Sequence, residues 1–204
     1  MFLCIHIFSM QAAEAPKPPY NLASPFLLAA IAFDNAELLD TALGLAGCLP
    51  DSISVVASYM RPILVDAAAE GSVRVVEALA PRIGRVSQCE TREYNTALHY
   101  GAAAKKHALQ ISGILVAADK EGALREAKNK AGLTAYEIVQ LSLARGKISL
   151  GDAAPLLVLT RPIDMPIPAA RVERATWDAG IAVLQKNAWG SALIKQIEAE
   201  RELS

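Results

Sequence analysis

Residues 96–115, Thr-Ala-Leu-His-Tyr-Gly-Ala-Ala-Ala-Lys-Lys-His-Ala-Leu-Gln-Ile-Ser-Gly-Ile-Leu, decide the fold. They describe two short helices with a polar break between them. Thr96 stands where a side chain caps the first free N–H groups of a helix. Ala97, Leu98 and Ala102 give the first helix an apolar, small-residue face. Lys105, Lys106 and His107 break the pattern, and Leu109, Ile111, Ile114 and Leu115 resume it.

The same plan recurs along the chain. PFLLAAIAFDNAELLDTAL starts at Pro25, PILVDAAAEGSVRVVEALA at Pro62 and TAYEIVQLSLARG at Thr134. With Thr96, these starts are 37, 34 and 38 residues apart. A period of this size marks an architecture in which each unit buries its apolar face only against its neighbours. Ala29-Ala30, Ala67-Ala68 and Gly101-Ala102 keep helices close. No strand alternation is visible between Pro25 and about Arg145, so the expected class is all-α.

The details resemble the ankyrin-repeat family. Thr96-Ala97-Leu98-His99 with Gly101-Ala102 is similar to its T-P-L-H-x-A-A signature. Gly122-Ala123, then Ala127 to Gly132 and Thr134, is similar to its finger. Ala67-Ala68 with Gly71, followed by Val75, Val76 and Leu79, matches the second half of a repeat. Ala97 and Ala135 depart from the usual proline. Leu28, Val65 and Glu137 stand where His99 does. The link from Gly44 to Arg61 is long and apolar for a finger.

The resemblance implies a short solenoid of about four helix-turn-helix repeats over residues 25–160. It also implies that His99 ties its turn to neighbouring backbone. The implied activity is protein binding, on a concave surface made of finger tips and exposed inner-helix positions. On this chain the tips are Asn21 and Ser24, Ser58, Tyr59 and Arg61, Arg92, Glu93 and Asn95, and Lys130. The inner-helix positions are Phe33, Glu70, Ala103 and Ala104. Tyr and Arg are frequent binding hot spots.

Residues 1–24 form an expected extended lead-in, with Pro16, Pro18 and Pro19 at its end. The apolar run from Phe2 to Phe8 is short and lacks the basic start of a secretory signal. Asp152 is the expected cap of the last outer helix, with Pro155 in its first turn. Residues 161–204 hold a linker with Pro162, Pro166 and Pro168, then a helical cap. Ala169–Ala188 is expected to bury Val172, Ala175, Ala179, Ala182 and Val183, and Ser191 to cap a last helix. Trp177 and Trp189 are expected to seal the array, the other reading being that they anchor a partner. Leu156, Leu159 and Arg161 to Pro168 also resemble a SOCS box of ubiquitin-ligase adaptors, with Thr160 for its cysteine and Pro162 breaking its helix.

Composition narrows the function. Of 204 residues, 53% are apolar and 20% charged, with a net charge of −1. A chain without a basic stripe gives no electrostatic case for nucleic acid or an anionic membrane. Cys4, Cys48 and Cys89 are odd in number and unpaired in pattern, as in a reducing cytoplasm. His6 and His107 complete no metal spacing, Cys89-Glu90 has no recognisable histidine partner, and no glycine pattern cradles phosphate. Lys128-Asn129-Lys130 reads as a solvated turn, and Glu198, Glu200 and Glu202 as a solvated face. The expectation is an interaction scaffold or adaptor with an unidentified protein partner, no enzyme activity, no cofactor and no metal, and its oligomeric state, monomer included, is left open by the sequence. The alternative is a structural subunit that self-assembles through its C-terminal helices; a ubiquitin-ligase adaptor, or an enzyme with a site around His99 or Cys89, comes after it.

Overall fold

The computed structural model describes residues 20–45, 56–58, 61–83, 85–88 and 91–202. These residues are mostly helical, in agreement with the all-α expectation. One short β-ribbon is added to it. β1 (Val56–Ser58) and β2 (Arg61–Pro62) pair antiparallel, with Ser58 opposite Arg61. Strands this short carry no readable alternation.

Eight of the helices form four consecutive pairs. They are α1 (Tyr20–Ala32) with α2 (Ala36–Leu45), α3 (Ile63–Glu70) with α4 (Val73–Leu79), α5 (Ala97–Ala102) with α6 (Ala108–Ala118), and, after the one-turn α7 (Ala123–Glu126), α8 (Ala135–Ala144) with α9 (Leu150–Thr160). First helices touch in sequence: α1 to α3, α3 to α5, α5 to α8. Second helices do the same: α2 to α4, α4 to α6, α6 to α9. The pairs thus stand in a row with one continuous core. Leu27, Leu39, Leu64, Val76, Leu98, Ile111, Leu115 and Leu159 run through it, each fully buried. Each pair alone would leave this surface wet, at a cost of about 1.5–3 kcal/mol per large apolar side chain.

The turns inside the pairs are fixed chemically. Gly71 has φ +82°, and a Cβ there would lie 2.8 Å from the Lys106 carbonyl oxygen. Asp34 takes the equivalent left-handed conformation 37 residues earlier. Its carboxylate accepts from the Val75 amide at 3.1 Å, and the Ser72 hydroxyl donates to the Ile31 carbonyl at 2.7 Å. These bonds join the first pair to the second.

Several boundaries differ from expectation. The extended lead-in was expected to reach residue 24, but α1 opens at Tyr20 and carries Pro25 within it. Residues 1–19 lie outside the described residues. Ser149, not Asp152, caps α9: its Oγ accepts from the Asp152 amide at 3.2 Å. Pro155 consequently falls past the first turn. Ser191 lies inside α11 (Gly190–Glu202) rather than capping it. Arg161 to Pro168 is non-helical, so the helix that the SOCS-box pattern needs is not formed.

The last two helices fold back along the row. α10 (Arg171–Gln185) packs on α9, and α11 packs on α10 and α6. The expected alanine and valine stripe of α10 is not its buried face: Val172, Ala175, Ala179 and Ala182 are exposed and Val183 is half-buried. Trp177, Gly180 and Leu184 are buried instead. Glycine is needed at 180, because a Cβ there would lie 2.5 Å from the Ala154 carbonyl oxygen. Trp189 lies over Gly113 of α6, where a Cβ would meet its ring at 2.6 Å.

Candidate interaction surface

Two loops lead into α5 and α8, and the same bonds build both. In residues 91–95, the Thr91 amide donates to the Asn95 carbonyl, and Thr91 Oγ1 accepts from the amides of Glu93 and Asn95. In residues 129–133, the Asn129 amide donates to the Leu133 carbonyl, and Asn129 Oδ1 accepts from the amides of Ala131 and Leu133. A side-chain oxygen closing a turn on amides two and four residues ahead is what Thr and Asn do well. Tyr94 and Gly132 hold matching left-handed positions, φ +57° and +78°.

Each loop ends in a capping box. The Thr134 amide and hydroxyl both donate to Glu137 Oε2, at 2.7 and 3.1 Å, and the Glu137 amide donates back to Thr134 Oγ1. At the equivalent place His99 Nδ1 accepts from the Thr96 amide at 3.1 Å and lies 2.8 Å from its hydroxyl. His99 Nε2 then donates to the Leu133 carbonyl at 3.0 Å. His99 is 2% exposed, and burial pushes its pKa below the usual 6.5, against the opposing pull of the Leu133 carbonyl. Both ring nitrogens are engaged, which leaves no open nitrogen for a base or a metal ligand.

The loops also join each other. The Lys130 amide donates to the Glu93 carbonyl at 2.9 Å, and Lys130 Nζ lies 3.6 Å from Glu93 Oε2. Asn129 Nδ2 donates to Asn95 Oδ1 at 2.9 Å. The structure therefore brings Glu93, Asn95 and Lys130 together, beside exposed Arg92. Asn95 is half-buried and held in the loop contact. Glu93 and Lys130 are both exposed and partly neutralise each other, a pairing worth at most about 1 kcal/mol in water. Glu70 is exposed at the end of α3.

The other sequence-named residues divide as follows. Ser58 and Arg61 lie opposite each other in the β-ribbon, which touches α1 and α3. Asn21 and Ser24 are in α1, not in a finger. Phe33 and Ala103 are exposed, and Ala104 is half-buried. Tyr59, the three cysteines, Glu90 and His6 lie outside the described residues. Tyr94, outside the positions the resemblance implies, is the aromatic of the loop, at 52% exposure. A signal for it existed: it sits 38 residues before Gly132, in the register of Thr96 and Thr134.

A second polar cluster, also unforeseen, lies under the proline-rich connection. Arg161 Cζ lies over the rings of Tyr136 and Trp177, 5.5 and 5.6 Å from their centroids. It donates to the Tyr136 hydroxyl at 3.0 Å and to the carbonyls of Met165 and Pro166. Its guanidinium fastens the connection to the last pair.

Among the described residues no three His, Cys, Asp or Glu side chains gather as a metal site, and no helix is long and apolar enough to cross a membrane. Set beside known proteins, the chain matches no family model, no curated protein and no solved structure.

Proposed function

We propose that this chain is an ankyrin-type solenoid that works as a protein-interaction scaffold, taking a partner protein on the side formed by its loop tips and first helices. The recurrence of one loop chemistry after 38 residues, ending each time in a capped helix, carries this reading. The position of α10 and α11 supports it as well. Their main contacts are with second helices, α9 and α6, and not with first helices. The loops are built by side chain-to-backbone bonds before any partner arrives, so little ordering entropy is lost on binding. The binding residues would be Arg92, Glu93, Tyr94 and Lys130, with Glu70 at the end of α3; Ser58, Tyr59 and Arg61 belong to the proposal on the family resemblance alone. The proposed compartment is the cytoplasm, where Cys4, Cys48 and Cys89 stay reduced.

The test is affinity capture from native lysate by the wild type, by Arg92→Glu/Lys130→Glu and by Lys195→Glu. Lys195 is an exposed residue of α11. Circular dichroism first establishes that all three are equally helical. A partner kept by the wild type and Lys195→Glu but lost from the double variant supports the reading. Equal capture by all three removes the loop tips from the site.

A further inference from the structure

The large apolar side chains left exposed among the described residues are not scattered. Phe26, Leu28 and Phe33 belong to α1 and the turn after it, and Leu141, Leu150, Ile167 and Val172 to the last pair, its connection and α10. Only Tyr94, at a loop tip, lies between these groups. The two groups mark the two ends of the row.

The first end is the more telling. α1 reads Tyr-Asn-Leu-Ala-Ser-Pro-Phe-Leu-Leu-Ala-Ala-Ile-Ala, without one charged residue. A helix that is apolar on every side is normally buried on every side. Here Leu27, Ala30 and Ile31 are buried, while Pro25, Phe26, Leu28 and Ala32 are exposed. At about 100° per residue the exposed group covers the arc opposite the buried one. Phe33, 78% exposed, continues it.

At the other end, α8, α9 and α10 enclose a groove of about 400 Å³, with Leu143, Leu150, Leu157 and Val172 on its walls. This is the face on which a fifth pair would stack. A row of this kind is kept discrete by polar outer faces on its terminal units, and the described residues of both ends instead leave large apolar side chains exposed.

We infer that these ends are the two halves of one contact: α1 of one copy occupies the α8–α9–α10 groove of a second copy, continuing the row from chain to chain. α1–α2 is a helix pair of the kind the row already stacks. Charge favours the match. Residues 20–45 carry Asp34, Glu37 and Asp40 and no basic residue; Asp40 is paired with Arg82 of its own chain, so the acidic excess at this end rests on Asp34 and Glu37. The α8–α9 turn beside the groove presents exposed Arg145 and Lys147. Glu173 is the acid on the groove wall. The contact joins unlike surfaces, so it propagates head to tail instead of closing as a two-fold pair. It goes beyond the scaffold reading and uses none of the loop-tip residues.

The test is sedimentation velocity of the full chain over a wide concentration range. Wild type is expected to grow beyond the monomer as concentration rises, and to shrink as salt screens the charges. Phe33→Glu and Leu150→Glu/Val172→Glu change exposed side chains only, and circular dichroism confirms their folding. Each is expected to stay monomeric alone. Mixed, each supplies the end the other lacks, and the mixture forms a one-to-one pair that grows no further. A wild type that stays monomeric throughout overturns the inference. Self-association that survives Leu150→Glu/Val172→Glu but not Phe33→Glu also overturns it, because α1 would then meet α1.

Discussion

His99 and Leu133 stand 34 residues apart in sequence and share a hydrogen bond of 3.0 Å, Nε2–H to carbonyl oxygen. The bond can form this way because Nδ1 accepts from the Thr96 amide, which puts the single ring proton on Nε2. The imidazole is thus neutral in the fold, in line with the lowering of its pKa by burial.

That state makes stability depend on pH. The unfolded chain binds a proton near pH 6.5 that the folded chain refuses. Stability rises with pH wherever the unfolded state holds more protons. The contribution is therefore complete above about pH 6.5 and is lost as pH falls from there toward the depressed folded value. Urea midpoints of wild type are expected to fall more steeply between about pH 7 and pH 5 than those of His99→Gln. Parallel curves would show that another group titrates.

Asn129 closes its loop with two accepted amides and donates across to Asn95. Asn129→Ala leaves both amides without their partner and is expected to cost about 2 kcal/mol in chemical denaturation. Thr91→Ser keeps the accepting oxygen and is expected to cost less than about 0.5 kcal/mol.

Arg161 is 6% exposed and held by two rings, a hydroxyl and two carbonyls. Arg161→Met removes the donors and is expected to cost about 2–3 kcal/mol, with a shift in Trp177 emission. Arg161→Lys is expected to recover little, since a single ammonium cannot reach the three acceptors that the Nε, Nη1 and Nη2 atoms of the guanidinium hold.

One substitution is expected to have opposite signs at two helical glycines. Gly151 of α9 meets only Ser149 Oγ, at 3.7 Å from an added Cβ. Gly151→Ala therefore gains up to about 1 kcal/mol of helix propensity. Gly180→Ala brings the same gain but sets its methyl 2.5 Å from the Ala154 carbonyl oxygen, which cannot move without α9. Overpacking of about 1–3 kcal/mol exceeds the gain, and thermal unfolding is expected to come at lower temperature.

Elements governed by short-range chemistry were legible before any coordinates. Thr96 and Thr134 cap helices within a turn of their own position, so local sequence exposes them; the reach of His99 to Leu133 was implied by the resemblance, and the contact of Gly71 with Lys106 needs the neighbouring pair in place. The buried face of α10 was not legible. Its alanine stripe and its Trp177-Gly180-Leu184 stripe both have helical spacing. The choice between them is made by Ala154 and Val158 of α9, which leave room for a glycine and no more. The helix start at Tyr20 was hidden by Pro25, a residue that usually marks an end. The Glu93–Lys130 pair needs two loops side by side, and only the stacking of α5 on α8 provides that.

The return of α11 to α6 changes how the molecule comes apart. Units that touch only their neighbours peel away one by one from either end. Here α10 grips α9 while α11 reaches past it to α6, so the last two pairs are braced from outside and must open together. The first pair has no such brace among the described residues. Amide hydrogens of α1 and α2 should exchange first, and those of α6 and α9 last, so that one terminus frays while the other releases all at once.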